Sequence, residues 1–277
     1  MTTSFHDQLA RGWKASSSML CIGLDPDPDR YPPRLAGHEA PAYDFCMEIV
    51  KATADLVCAF KPQFAHFAAQ SGEHQLQRLC RRIREDHPDV TLIFDAKRGD
   101  IASTAEFYAD EAFGRYGAHA VTVNPYLGTD AAAPLLARGG VIALCRTSND
   151  GAKELQDLDV NGRPLFLRVA EMVATRWSQL GDCGLVAGAT APGELAGIRA
   201  VAAELPLLVP GVGLQGGDVD ASVAAGATPG GLGLIMSASR SVLYAGDAEA
   251  ADGDFAAAAR RVAQHLHDQI AAAASRL

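Results

Sequence analysis

The chain has 277 residues, of which 48% are hydrophobic, and it carries a net charge of −9. This length suits one eight-stranded α/β barrel, which typically needs about 250 residues. Because an acidic protein repels nucleic-acid phosphates at long range, we expect no nucleic-acid partner. The sequence contains no apolar run as long as a membrane span and no signal-peptide core, so we expect a cytoplasmic protein without a membrane partner.

The cysteines and histidines show no spacing typical of a disulfide framework or a metal site. Most of the cysteines lie in or beside apolar runs, where a free thiol behaves as a small hydrophobic group. His265 and His267 are two residues apart on a predicted helix, so their side chains diverge. We therefore predict buried, reduced thiols and no bound metal ion. The cysteines are Cys21, Cys46, Cys58, Cys80, Cys145 and Cys183.

Short apolar runs recur along the chain and predict eight β-strands. The segments between them carry helical patterns, and strands that alternate with helices indicate parallel βαβ units. The predicted strands are Met19–Leu24, Leu56–Phe60, Thr91–Asp95, Ala120–Asn124, Val141–Arg146, Gly184–Gly188, Pro206–Pro210 and Gly233–Met236. The predicted helices are Tyr43–Ala54, His74–Asp86, Thr104–Phe113, Ala131–Ala137, Leu165–Leu180, Glu194–Ala203, Val219–Ala225 and Phe255–Leu277.

Eight βα units close most naturally into a (β/α)8 barrel, the TIM barrel. We expect a single catalytic domain over residues 1–277, because no change of composition marks a linker. A short helix over Phe5–Lys14 is predicted to cover the N-terminal mouth of the barrel. The alternative is an open doubly wound sheet, but no G-x-G-x-x-G motif follows the first strand.

Charged residues cluster where the predicted strands end. Strand one ends in Asp25, strand two in Lys61, strand three in Asp95 and Lys97, and strand five in Arg146 followed by Thr-Ser-Asn. In a barrel all of these ends lie at one mouth, where active sites are built. The sequence therefore predicts a charged site at the C-terminal mouth.

The segment Asp95-Ala96-Lys97-Arg98-Gly99-Asp100 is the main catalytic candidate. Asp95 and Lys97 are two residues apart on an extended chain, so they point to the same side. Alternating negative and positive charges would keep Lys97 protonated and aimed, as a proton donor beside a developing carbanion requires. The alternative is an ion-pair network with a structural role only.

Two glycine- and serine-containing segments suggest a phosphate site. Val209–Asp218 follows strand seven and Ile235–Ser241 ends strand eight, the positions at which barrels often bind phosphate. Gly216 and Gly217 would let backbone amides approach an anion, and Arg240 could add a bidentate contact. A separate group of arginines, Arg78, Arg81, Arg82 and Arg84, lies on one predicted helix and is interpreted as a solvated surface.

Asp95-Ala96-Lys97-Arg98-Gly99-Asp100-Ile101 resembles the D-x-K-x-x-D-I signature of orotidine 5′-phosphate decarboxylases. The other landmarks agree in order over about Leu20 to Tyr244 and are most similar to the longer bacterial branch of that family. They are Gly23-Leu24-Asp25-Pro26, Phe60-Lys61-Pro62-Gln63, Val123-Asn124-Pro125-Tyr126, Thr147-Ser148-Asn149, Pro210-Gly211-Val212-Gly213 and Ser239-Arg240-Ser241.

The resemblance implies conversion of orotidine 5′-monophosphate into uridine 5′-monophosphate and CO₂ without a cofactor or metal. It implies that Lys97 protonates C6 of the pyrimidine and that Asp95 holds Lys97 beside the substrate carboxylate. The implied catalytic residues are Lys97, Asp95, Asp100 and Lys61. The implied substrate-binding residues are Asp25, Ile101, Thr104, Ser148, Gln215, Gly217 and Arg240.

Within that set, Asp25 and Lys61 would bind ribose hydroxyls, and Ser148 would bind the pyrimidine amide. Gln215, Gly217 and Arg240 would hold the phosphate. The resemblance further implies a homodimer, in which Asp100 and Thr104 reach the ribose bound by the neighbouring subunit.

Two departures from the family pattern stand out. Gln215 immediately follows Gly213-Leu214, whereas shorter members place the phosphate-contacting Gln further past Pro-Gly. The segment after strand five is long, and residues 150–164 could form a lid.

Three other functions remain open on the sequence alone. A related phosphosugar lyase or epimerase would use Mg²⁺, which the Lys61 ammonium would disfavour. A Schiff-base aldolase would need a neutral lysine, whereas the neighbouring carboxylates raise a lysine pKa. A barrel that only binds a nucleotide would bind uridine monophosphate without turnover.

Overall fold

The computed structural model describes residues 3–188, 192–212, 218–245 and 254–277. Eight parallel strands pair in sequence order, and the last pairs with the first to close a barrel. This confirms the predicted (β/α)8 architecture. The strands are β1 (Leu20–Leu24), β2 (Ala59–Pro62), β3 (Thr91–Arg98), β4 (Ala120–Val123), β5 (Gly140–Arg146), β6 (Cys183–Ala187), β7 (Leu207–Pro210) and β8 (Leu234–Ala238).

Helices surround the barrel, and side chains cap several of their N-termini. Ser4, Asp218 and Asp254 each accept a backbone hydrogen bond from the first turn of a helix. The helices are α1 (Phe5–Ser16), α2 (Pro41–Thr53), α3 (Phe64–Ala68), α4 (Glu73–Asp86), α5 (Ala102–Ala109), α6 (Thr129–Leu136), α7 (Ala152–Leu155), α8 (Leu165–Thr175), α9 (Pro192–Val201), α10 (Val219–Gly226), α11 (Arg240–Leu243) and α12 (Phe255–Ala274).

Helix α1 lies across the N-terminal mouth. Phe5 and Leu9 are buried against an inner apolar layer to which every strand contributes one residue. The Trp13 indole donates to the Leu234 carbonyl at 2.9 Å, and the His6 amide donates to Asp182 at 2.8 Å. The strand residues of this layer are Cys21, Ala59, Ile93, Ala120, Ile142, Val186, Leu208 and Ile235.

The opposite faces of the strands pack against the helices in a larger apolar core. Strand side chains such as Ile22, Phe60 and Phe94 contribute to this core and are fully buried. Helix side chains such as Phe45 and Trp177 cover them. Because both faces of each strand are covered, the strands read as continuous apolar runs in the sequence.

The second and third strands differ from their predicted limits. The chain over Ala54–Leu56 forms a 3-10 turn, so β2 begins at Ala59 and includes Lys61. Strand β3 continues past Asp95 to Arg98, with a shift of register against β4 between Phe94 and Arg98. Lys61 and Lys97, which the predicted limits placed just after strands two and three, therefore lie on the strands themselves.

Two predicted helices are divided. The segment predicted as one helix over Thr104–Phe113 forms α5 and then a π-helical turn over Asp110–Arg115. Helix α8 ends at Thr175 and is followed by a 3-10 turn over Trp177–Gln179. Such changes of hydrogen-bond pattern are not encoded in the apolar periodicity, which is nearly the same for the different helix types.

The cysteine prediction is confirmed, because all six cysteines are free and buried. Within the described ranges, no helix has the length and hydropathy needed to cross a membrane.

Candidate active site

A polar layer lies directly above the inner apolar layer, towards the C-terminal mouth. Side chains on a strand alternate between faces, so residues two apart point into the barrel together. The pairs Ala59–Lys61, Ile93–Asp95, Ala120–Thr122 and Ile235–Ser237 each combine an apolar residue of the inner layer with a buried polar one. Strand alternation therefore brings Lys61, Asp95, Thr122 and Ser237 to the same level of the barrel.

Asp95 holds two ammonium groups at once. Its Oδ2 lies 2.6 Å from Lys61 Nζ, and its Oδ1 lies 2.7 Å from Lys97 Nζ. The Lys61 and Asp95 side chains are 7% and 8% exposed, whereas that of Lys97 is 47% exposed. One buried carboxylate thus links a buried cation to a cation that a ligand could reach.

Electrostatics keeps this array charged. Burial by itself would raise the pKa of Asp95, but the Lys61 and Lys97 ammoniums outweigh it and hold that pKa well below its usual range. Burial would lower the pKa of Lys61, but Asp95 and then Asp25 outweigh it and raise that pKa. Near neutral pH, Asp95 is therefore a carboxylate and Lys61 an ammonium.

Thr122 is a member of the site that the sequence analysis missed. Its hydroxyl donates to Asp95 Oδ1 at 2.9 Å and accepts from the backbone amides of Ala96 and Lys97 at 3.1 and 3.0 Å. The sequence does contain a signal for Thr122, because it is a polar residue two positions after Ala120 in an otherwise apolar strand. A buried threonine at that position faces the barrel interior and needs a hydrogen-bond partner there.

Asp25 carries a buried oxygen that lacks a partner within the described part of the chain. Its Oδ1 makes no hydrogen bond there, although an ionised carboxylate is a strong acceptor. The loop that holds Asp25 is fixed by Tyr244, another residue that the sequence analysis missed. The Tyr244 hydroxyl donates to the Asp25 carbonyl at 3.0 Å and accepts from the Asp27 amide at 2.7 Å. The free carboxylate oxygen is available to a donor such as a ligand hydroxyl.

A cavity of about 470 Å³ opens beside this array. Asp25, Lys61 and Asp95 line it, together with Ser237 and Arg240. The cavity therefore combines a charged acidic–basic edge with an arginine at the end of β8. A small anionic molecule with hydroxyl groups matches this distribution of charge.

The predicted phosphate residues are only partly described. Arg240 is exposed at the start of α11 and lines the cavity. Gln215 and Gly217 lie outside the described residues, as does Gly216.

Gly23 lets the segment that carries Ser239 approach β1 closely, because a Cβ atom at this position would overlap with the Ser239 hydroxyl.

Asp100, Ile101 and Thr104 lie beyond the end of β3, outside the group that lines the cavity. The Asp100 carboxylate accepts from the Ile101 amide at 2.8 Å, and Ile101 and Thr104 are exposed. Arg98 anchors this segment through a bidentate contact to Glu111, with both distances 2.9 Å. Within one chain these three residues therefore do not approach Lys97 through any described contact.

Ser148 is exposed and lies in a loop that a buried arginine fixes. Arg146, 5% exposed, contacts both carboxylate oxygens of Glu194 at 2.7 and 3.0 Å. Gln156 accepts from the Thr147 amide at 2.9 Å and donates to the Thr147 hydroxyl at 2.8 Å. These contacts hold the start of the predicted lid against the body of the barrel. Arg146 therefore anchors the loop that carries Ser148.

A second, larger cavity of about 1100 Å³ lies at the other end of the barrel. Phe5 and Gln8 of α1 line it, together with arginines of α4. Its size does not make it the active site, because the Lys61–Asp95–Lys97 array lies at the opposite mouth.

Comparison with known proteins agrees with this geometry. Residues 18–253 match the model of the orotidine 5′-phosphate decarboxylase / HUMPS family. The orotidine 5′-phosphate decarboxylase of Azoarcus sp. (strain BH72) is 54% identical over 268 residues, which are 96% of this chain and 98% of the relative. That of Dechloromonas aromatica (strain RCB) is 53% identical over 269 residues, with 96% and 98% covered.

Solved structures give the same result. Leishmania donovani OMP decarboxylase superposes with a TM-score of 0.82 at 35% identity, covering 97% of this chain and 99% of that one. Leishmania donovani UMP synthase gives a TM-score of 0.84 at 37% identity, and the match covers 97% of this chain but 57% of that longer one. From the family match, the close full-length relatives and the shared barrel, we conclude that the chain is an enzyme of the orotidine 5′-phosphate decarboxylase family.

Proposed function

We propose that the enzyme converts orotidine 5′-monophosphate into uridine 5′-monophosphate and CO₂, the last step of de novo UMP biosynthesis. The observation that carries this proposal is the Asp95 carboxylate, which holds Lys61 and Lys97 at 2.6 and 2.7 Å beside a cavity that also contains Arg240. This array provides an aimed ammonium, a buried negative charge and a candidate phosphate contact within one mouth of the barrel.

In the proposed reaction, the bond between C6 and the carboxyl carbon breaks, and its electron pair remains on C6 as CO₂ departs. A proton from Lys97 Nζ then forms the new C6–H bond, and the neutral amine regains a proton from solvent. Lys97 is suited to this role because it is the more exposed of the two ammoniums on Asp95. No electron-sink cofactor takes part in the proposed step.

Electrostatic stabilisation is the main source of rate enhancement in this mechanism. The ammonium of Lys97 is already oriented by Asp95, so little reorganisation is needed when negative charge develops on C6. The buried Lys61 balances the charge of Asp95 and prevents it from taking up a proton. Repulsion between Asp95 and the substrate carboxylate could add ground-state destabilisation.

The remaining site residues have proposed binding roles. The unpartnered oxygen of Asp25 accepts a ribose hydroxyl, and Lys61 contributes a second ribose contact. Arg240 holds the phosphate together with Gln215 and Gly217, and binding energy from this remote group helps to close the site. Ser148 binds the pyrimidine amide.

We further propose a homodimer with shared active sites. Asp100 and Thr104 point to this arrangement because neither contacts the Lys97 array within one chain. Ile101, Phe107 and Tyr126 are 56%, 71% and 78% exposed, and large exposed apolar side chains of this kind suit a subunit contact. In the dimer, Asp100, Ile101 and Thr104 would complete the ribose site of the neighbouring subunit.

We place the enzyme in the cytoplasm, without a nucleic-acid or membrane partner. The six free, buried thiols and the net charge of −9 support this assignment.

The test is the decrease in absorbance as orotidine monophosphate is consumed, measured for wild type, Lys97→Ala and Lys51→Ala. Lys51 is an exposed lysine on α2 and serves as the matched control. We expect turnover in wild type and Lys51→Ala and a severe loss in Lys97→Ala. Equal rates in all three proteins would disprove the role of Lys97, and activity that EDTA removes and Mg²⁺ restores would favour the metal-dependent lyase.

A further inference from the structure

The Thr122 hydroxyl uses its complete hydrogen-bonding capacity on the segment that carries Lys97. A hydroxyl offers one donor and two acceptor positions. Thr122 donates to Asp95 Oδ1 at 2.9 Å and accepts from the amides of Ala96 and Lys97 at 3.1 and 3.0 Å. Because Thr122 is 2% exposed, water does not compete for these positions.

The segment that Thr122 binds has an unusual backbone. Lys97 has φ +48°, in the left-handed region that side chains other than glycine rarely adopt. The pairing of β3 with β4 shifts register between Phe94 and Arg98, so this part of β3 lacks regular ladder partners. In a regular strand, two consecutive amides point to the two flanking strands, whereas here both the Ala96 and the Lys97 amide donate to the Thr122 hydroxyl.

We propose that Thr122 is a positioning residue, which fixes the bulge at Ala96–Lys97 and thereby aims the Lys97 ammonium at its reaction partner. The proposal deepens the proposed function and rests on it. Thr122 itself touches no reacting atom. It acts by holding both the backbone from which Lys97 extends and the carboxylate oxygen that Lys97 contacts.

The removal of this hydroxyl would leave two amides without their partner and would free Asp95 Oδ1 from one of its two hydrogen bonds. The left-handed conformation of Lys97 would then lose the contacts that compensate its strain. A displacement of about 1 Å at a catalytic group can reduce a rate about 100-fold. Thr122→Val is the suitable variant because valine keeps the shape of the threonine side chain but has no hydroxyl. Thr122→Ser is the matched control because serine keeps the hydroxyl.

We expect Thr122→Val to reduce kcat for orotidine monophosphate about 100-fold and to change KM less than threefold. Thr122→Ser should recover most of kcat. A folded Thr122→Val enzyme with wild-type kcat, or a Thr122→Ser enzyme impaired as severely as Thr122→Val, would overturn the proposal.

A second measurement separates this proposal from the decarboxylase assignment. Amide hydrogen exchange followed by NMR reports on the Ala96 and Lys97 amides whether or not orotidine monophosphate is the substrate. We expect both amides to exchange faster in Thr122→Val than in wild type and Thr122→Ser. An inactive wild type with this difference would disprove the function but support the positioning role, whereas unchanged exchange would disprove the role.

The cavity at the N-terminal end of the barrel carries an independent inference. Its described lining contains six arginines and two carboxylates, although the whole protein has a charge of −9. Arg81 and Arg84 come from α4, Arg11 from α1 and Arg115 from the turn that follows α5. Cations from three separate elements therefore converge on one groove.

These cations lack compensating carboxylates. Within the described residues, Arg11, Arg81, Arg84 and Arg115 have no carboxylate within 4.0 Å. Arg84 donates instead to the Gly117 carbonyl, and its burial lowers its pKa. Arg82, on the same helix, differs, because it forms ion pairs with Glu85 and Asp86. Arg78, Arg81 and Arg84 are exposed and Arg82 is half-buried, so the predicted arginine surface of this helix faces solvent.

We infer that this groove, defined by Arg11, Arg81, Arg84 and Arg115, binds a multivalent phosphate such as an oligophosphate chain. Guanidinium groups bind phosphate oxygens in a bidentate manner, and an anion would offset the charge that no carboxylate compensates. Arg81 and Arg84 are one helical turn apart, about 4.5 Å along the axis, so neighbouring phosphate groups could be bound together.

Calorimetric titration with inorganic tripolyphosphate at low ionic strength tests this inference. We expect saturable binding that Arg81→Gln weakens about tenfold and that salt suppresses. Arg82→Gln removes the same charge from the same helix and should leave the affinity within twofold. Equal weakening by Arg81→Gln and Arg82→Gln would overturn the inference, as would loss of binding only in Arg240→Gln. Binding that does not saturate below millimolar concentration would indicate an adventitious ion only and would also overturn it.

Discussion

Lys61 Nζ lies 2.6 Å from Asp95 Oδ2, and both side chains are buried, whereas Lys97 on the other oxygen of Asp95 is 47% exposed. The two lysines therefore contribute differently to folding and to chemistry. Breaking a buried pair by removing one partner leaves a desolvated charge without compensation. Removing an exposed partner leaves a pair that is still neutral and satisfied.

The first prediction concerns the free energy of unfolding. Asp95→Asn should destabilise the protein by about 3–5 kcal/mol, because it leaves the Lys61 ammonium buried without its counter-charge. Lys97→Met should change stability by about 1 kcal/mol or less, since solvent screens its contact with Asp95. Urea denaturation at one fixed protein concentration measures both values.

The control is the double variant Lys61→Met/Asp95→Leu, which replaces the buried pair by apolar side chains. It should lose less stability than Asp95→Asn alone, although it should be inactive. If the double variant loses the sum of the losses measured for Lys61→Met and Asp95→Leu singly, the charges are not coupled in the way that their geometry indicates.

A second prediction concerns Gly23 on β1. A Cβ atom at this position would overlap with the Ser239 hydroxyl and lie 3.4 Å from Asp25 Oδ1. Gly23→Ala should therefore displace the end of β8, cost about 1–3 kcal/mol of stability and raise KM for the substrate. Adding Ser239→Ala removes the overlapping hydroxyl and should recover part of both losses, which steady-state kinetics and denaturation can measure.

The barrel and the charged rim could be predicted because both follow from simple periodicities. Apolar runs such as Val141–Arg146 mark strands covered on both faces, and their alternation with helical segments fixes a parallel topology. Once the fold is a barrel, Lys61 and Asp95 must lie at the same mouth. Their place at one mouth required no information beyond strand order, whereas their direct contact at 2.6 Å is a finding of the structure.

The bulge at Ala96–Lys97 could not be predicted in this way. The sequence analysis placed Asp95 and Lys97 on the same side because an extended chain alternates. In the structure, Lys97 has a left-handed backbone, and Thr122 from the neighbouring strand fixes it. The two residues do meet, but through a tertiary contact that a single strand's pattern does not contain. The role of Tyr244 at the Asp25 loop was missed for the same reason.

A third prediction concerns stability towards acid. His119 is 9% exposed and its Nδ1 accepts from the Leu92 amide at 2.8 Å. Burial, together with Arg84 and Arg11, lowers the pKa of His119 from 6.5 to about 3. The unfolded chain therefore binds a proton that the folded chain excludes, and stability should fall as the pH drops below 6.5. The loss by pH 5 is roughly 2 kcal/mol.

Urea denaturation between pH 7 and pH 5 measures this loss, and His119→Asn is the matched variant. The side-chain oxygen of the asparagine can replace Nδ1 of His119 as the acceptor for the Leu92 amide, but an asparagine side chain does not titrate. The variant should be less stable overall yet show a flatter dependence on pH. An equally steep dependence in both proteins would assign the acid sensitivity to other groups.

The fourth prediction concerns the proposed sharing of active sites between subunits. Lys97→Ala and Asp100→Ala should each be nearly inactive as homodimers, because each carries the same defect in both sites. After the two chains are mixed and exchanged, a heterodimer contains one site with both Lys97 and Asp100 intact, since the two residues come from different chains. Up to about one quarter of wild-type activity should then return: half of the dimers are heterodimers, each with one active site of two. A mixture of Lys97→Ala with Lys61→Ala is the negative control and should show no recovery, because both lysines contact Asp95 of the same chain. Confirmed exchange of Lys97→Ala with Asp100→Ala by mass spectrometry, without any recovery, would place Asp100 and Lys97 of the same chain in one site.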